Sequence, residues 1–157
     1  MKSIVSAGLL FLVAQWASGE VFEALRGIPP EMSVYVSPQL EGCPDSLDTE
    51  ALAKTAEQEL RQAKIEVVER HPATVSIEVT CLEVEEIDAR VVAVGVQFWQ
   101  PVIGKINDWN GSAPTWSAKE LLHAFGVERD RQAEPVRAAV GELVEAFVRA
   151  YREANTR

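Results

Sequence analysis

One strictly alternating apolar run, and a second with Val or Phe at every other position, constrain this chain more than anything else in it. Val75, Ile77, Val79 and Cys81 interleave with Thr74, Ser76, Glu78 and Thr80. Val92, Val94, Val96 and Phe98 recur at the same spacing within Arg90 to Val102. A period of two puts alternate side chains on opposite faces, so each run predicts a strand with one buried face. Glu85-Glu86-Ile87-Asp88 between them reads as a turn, which makes the pair an antiparallel hairpin. The apolar phase slips at Leu82 and Val84. That slip predicts a bulge, or a strand end covered on both faces.

The flanking segments supply the other layer. Met32, Val34 and Val36 alternate with Ser33, Tyr35 and Ser37 between Pro29-Pro30 and Pro38, which predicts a half-buried strand. A polar loop with Gly42, Cys43 and Pro44 follows. Asp48 reads as a helix N-cap, with Leu47 and Leu52 placed to staple across it. Leu52, Ala56, Leu60 and Ala63 then form one helical stripe, while Lys54, Glu57 and Arg61 point away. Period two resumes at Ile65-Glu66-Val67, and His71-Pro72 breaks the chain.

Asn107-Asp108-Trp109-Asn110-Gly111 has loop chemistry. Residues 115–127 admit two readings. Ser117 with Glu120 imitates a capping box, whereas alternation of Trp116, Ala118, Leu122 and Ala124 permits a strand. Pro135 suits a first helical turn, and Val136, Val140, Leu143, Phe147 and Tyr151 share a stripe. With no repeat or linker, residues 20–157 are expected to form one α+β domain. Its sheet of four to five mainly antiparallel strands carries two helices on one face, in the order β-α-β-β-β-β-α.

Residues 1–19 read as a signal peptide: Lys2, an apolar run from Ile4 to Val13, then Ala17-Ser18-Gly19. The run is about ten residues, short of the roughly 18 that span a bilayer. Cleavage is expected before Glu20, giving an exported periplasmic or extracellular protein with no transmembrane segment in the mature chain. The net charge of −9 argues against nucleic acid and anionic lipid. Cys43 and Cys81 are the only cysteines, too few for a zinc cage and too far apart for a redox pair. In an oxidising compartment they predict one bridge, which a loop of this length makes worth about 4 kcal/mol. Two separately buried thiols are the other reading.

Three stretches carry a resemblance. Leu25-Arg26-Gly27-Ile28, Leu60-Arg61-Gln62-Ala63-Lys64-Ile65-Glu66-Val67 and Thr115-Trp116-Ser117 resemble a group of small, uncharacterised exported bacterial proteins. Those proteins tend to carry Gly where this chain has Lys64. The element order is also remotely similar to the TolB amino-terminal domain and to adaptor-like envelope lipoproteins. The resemblance implies a strand for residues 115–127 and brings no catalytic residue with it.

The sequence holds no nucleophile elbow, phosphate loop or metalloprotease helix. His71, in the break before Pro72, reads as a solvated loop residue, and His123, with no second His or Cys at ligand spacing, reads as structural. Glu83, Glu85, Glu86 and Asp88 read as a solvated hairpin end rather than a calcium site. Asn110-Gly111-Ser112 matches a glycosylation acceptor, which matters only in a chain that passes through an ER. No catalytic residue, metal or cofactor is expected. Trp99, Trp109 and Trp116 flank or occupy one loop and form a candidate partner surface, with Trp109 expected to be exposed. Alternatively, Trp99 and Trp116 cover the sheet face opposite the helices.

The leading expectation is therefore a non-catalytic envelope module that binds a protein partner through its open sheet face, a sheet edge or the tryptophan loop. The alternatives are a hydrolase with a carboxylate pair drawn from Glu78, Glu83 and Asp108, or a small-ligand carrier or inhibitor with an apolar cavity.

Overall fold

The computed structural model describes residues 20–37, 42–44, 46–104 and 110–156. The expected leader 1–19, Asp108 and Trp109 lie outside the described residues. In chain order the elements are α1 (Glu20–Leu25), β1 (Glu31–Val36), α2 (Thr49–Gln62), β2 (Glu66–Val67), β3 (Thr74–Val84), β4 (Ala89–Ile103), β5 (Asn110–Phe125) and α3 (Ala133–Asn155). Short 3-10 turns at Glu85–Ile87 and Gly126–Arg131 follow β3 and β5.

The strands form one open sheet in the order β2-β1-β3-β4-β5. The expected hairpin is antiparallel along its whole length, from Thr74↔Trp99 to Val84↔Ala89. Residues 110–125 are a strand, as the resemblance implied, and pair antiparallel with β4. β1 instead runs parallel to both β2 and β3. Parallel neighbours need a long crossover, which α2 supplies between β1 and β2.

Asp48 caps α2 as expected, accepting the Glu50 N–H at 3.0 Å, and Leu47 and Leu52 are both buried. At the other end Lys64 N–H bonds Arg61 O and Ile65 N–H bonds Leu60 O, each at 3.0 Å. This paired closure needs a left-handed residue after the cap, and Lys64 adopts φ 65° to provide it.

One face of the sheet packs on α2 and α3. Met32, Val75, Ile77, Val79, Val92, Val94, Val96 and Phe98 meet Leu52, Leu60, Val136, Val140 and Phe147 there. Phe147 stacks on Phe98 at 4.9 Å between centroids and takes Trp116 edge-on at 5.4 Å. Cys43 and Cys81 are bridged, with α-carbons 5.1 Å apart, within the range a disulfide allows. The bridge pins the loop before α2 against β3. Gly42, at φ 76°, lies so close that a β-carbon would sit 3.3 Å from Cys81 O.

The periodicity argument missed α1, which at six residues is too short to show a stripe. Tertiary bonds hold it. Asn155 Nδ2 donates to Leu25 O (2.9 Å), and Gly27 N–H donates to Asn155 Oδ1 (2.7 Å). Gln100 Nε2 donates to Ala24 O (2.8 Å). His71, expected to be solvated, is instead half-buried, and its Nδ1 accepts the Ala73 N–H at 3.1 Å in the turn that leads into β3.

Candidate interaction surface

The helices cover one face of the sheet and leave the other open. Alternation decides what stands on it. Since Val75 to Cys81 and Val92 to Phe98 face the helices, Thr74, Ser76, Glu78, Thr80, Leu82 and Val84 of β3 face outward. So do Ala89, Val91, Ala93, Gly95 and Gln97 of β4, and Ser117, Lys119, Leu121, His123 and Phe125 of β5.

The register divides this face into two zones. Tyr35, Ser76, Gln97 and Ser117 form one polar row, and Glu78, Gly95 and Lys119 the next. Towards the turn between β3 and β4 the rows become apolar. Thr80, Ala93 and Leu121 align, then Leu82, Val91 and His123, then Val84, Ala89 and Phe125. Leu82 is 62% exposed, Leu121 68% and Phe125 54%. Ile87 and Val127 stand exposed in the turns just beyond. Single exposed apolar residues are ordinary, but a contiguous group at one end of a sheet marks an interaction site.

This patch explains the phase slip at Leu82 and Val84. No register shift occurs in β3; the shift in this sheet lies between Phe98 and Trp99 on β4, opposite Thr115. The strand keeps its alternation, and its outward positions simply change from polar to apolar. Leu82, Leu121 and Phe125 were missed as site residues, although the slip was the signature of Leu82.

Trp99 stands on the open face, its Nε1 donating to Gln97 Oε1 at 3.0 Å, whereas Trp116 points to the helices and packs on Phe147. The two indoles therefore lie on opposite sides of the sheet. Only Trp99 belongs to the open face.

The carboxylates proposed for hydrolysis are separated in the same way. Glu78 is on the open face, while Glu83 turns to the helix side, where Arg90 Nη2 lies 3.9 Å away. The buried carboxylate is instead Glu120, 8% exposed on the helix face of β5. Burial, with the Glu142 charge adding to it, holds its carboxyl above the ordinary range. Among the described residues no group of three His, Cys, Asp or Glu side chains is placed to hold a metal ion, and no helix is long and apolar enough to cross a membrane. A groove of about 380 Å³ runs between α2 and α3, lined by Glu59, Gln62, Ala63, Glu145, Val148 and Arg152. Its charged lining does not suit the apolar ligand that a carrier would hold.

No family model and no curated protein matches this chain. Solved structures to which it is similar include the PelC dodecamer from Paraburkholderia phytofirmans, at 14% identity and a TM-score of 0.45, covering 74% of this chain and 86% of that one. A minor lipoprotein from Acinetobacter baumannii is similar at 10% identity and a TM-score of 0.44, covering 80% and 92%.

Proposed function

We propose that this chain is a non-catalytic exported module of the cell envelope that binds another protein through the apolar end of its open sheet face. The observation that carries this reading is the uncovered group formed by Leu82, Leu121 and Phe125 around Val91. Fully burying such a side chain is worth about 1.5–3 kcal/mol, and a partner surface recovers the share that these more than half-exposed groups leave in water. Export fits the apolar run and small residues of 1–19 and the Cys43–Cys81 bridge, a bond that oxidising compartments preserve.

The test is a photoreactive residue placed at Leu121, with Gln58 on the exposed side of α2 as control, in cells that export the chain. The reading predicts discrete protein adducts from position 121 and none from 58. Equal yields at both positions, or none at either, would contradict it.

A further inference from the structure

We infer that the partner segment seated on this patch is apolar and flanked by lysine or arginine, an inference that rests on the protein-binding reading above. The patch of Leu82, Val91, Leu121 and Phe125 ends at the turn between β3 and β4, and that turn is acidic. Glu85 and Glu86 are exposed in it, whereas the 3-10 turn that follows Phe125 sets an exposed Arg131 beside its exposed Glu128. Among the described residues neither Glu85 nor Glu86 takes part in an ion pair, so their charges face solvent. The base on the neighbouring part of β4, Arg90, is half-buried on the helix side and already pairs with Glu83.

An apolar surface beside uncompensated carboxylates selects its occupant by sign. A basic flank gains attraction on approach and fixes the register of docking. The same charges disfavour two other occupants. An anionic lipid surface would be repelled, and a second copy would bring a net charge of −9 against the same charge. Nor is the acidic turn needed for the fold: Glu85 and Glu86 are outward side chains in a three-residue 3-10 turn that buries nothing.

The experiment sequences the partner peptide joined to a photoreactive residue at Leu121 in the full exported chain. It is repeated with Glu85→Lys and Glu86→Lys together, and with the milder Glu85→Gln and Glu86→Gln pair. The expected peptide is an apolar stretch with Lys or Arg beside it. Adduct yield should fall at least tenfold for the reversed pair and less for the neutral pair, while the unfolding midpoint stays unchanged. An acidic or uncharged peptide, a peptide from this chain itself, or a yield indifferent to the charge reversal would overturn the inference and leave the protein-binding reading standing. Absence of any adduct at Leu121 would overturn both.

Discussion

Lys64 shows how a single residue can oppose the element it closes. The cap of α2 requires positive φ there, and a β-carbon in that region costs about 1–2 kcal/mol that glycine avoids. Lys64→Gly should therefore raise stability by about 1 kcal/mol in denaturant melts, even though it removes an exposed charge; an unchanged or lower midpoint would show that the strain is absent. Glu120 sets a second residue-level expectation. Its carboxyl is held above the ordinary range by burial first and by Glu142 second. Between the ordinary and raised values the folded chain binds a proton that the unfolded chain has released, so stability falls as pH rises through that window. The favourable contribution is complete below the ordinary carboxylate value. Glu120→Gln should flatten this fall in urea melts from pH 4 to pH 8, and parallel profiles for the two proteins would contradict the assignment. Nothing in sequence marks Glu120 for this role, because its capping-box spacing with Ser117 suits a helix and burial appears only once residues 110–125 lie against β4.

At the scale of elements, the long hairpin was legible because period two holds for β3 and most of β4, and α2 because cap, staple and stripe agree. α1 was not, since Asn155 and Gln100 hold it from distant parts of the chain. The parallel setting of β1 was equally hidden: alternation identifies a strand but says nothing of its neighbours. The Cys43–Cys81 bridge was readable from count and compartment, and its pinning of the α2 loop to β3 makes a prediction. Replacing both cysteines with alanine should lower stability by about 4 kcal/mol at most, since the closed loop spans 38 residues. Calorimetry of the two proteins measures this, and equal midpoints would mean that the bridge constrains the unfolded chain very little.

For the whole molecule, the decisive asymmetry is between a sheet face packed on α2 and α3 and a face left open. The sequence announced that asymmetry twice, through polar residues in the outward positions of β3 and through their replacement by Leu82 and Val84. It was hard to read because periodicity shows that a side chain faces outward, and not whether another element lies over it. Leu121 and Phe125 gave less warning still, being outward residues in a segment that fits strand and helix patterns alike. The central claim, that this apolar end is a binding surface and no part of the core, is tested most directly by the double variant Leu82→Asp and Leu121→Asp. Unfolding midpoint and partner capture are measured on the same preparations. The account predicts a stability loss of about 1 kcal/mol, the sum of two surface substitutions in strands, together with loss of capture. A loss of several kcal/mol, or capture that survives intact, would contradict it.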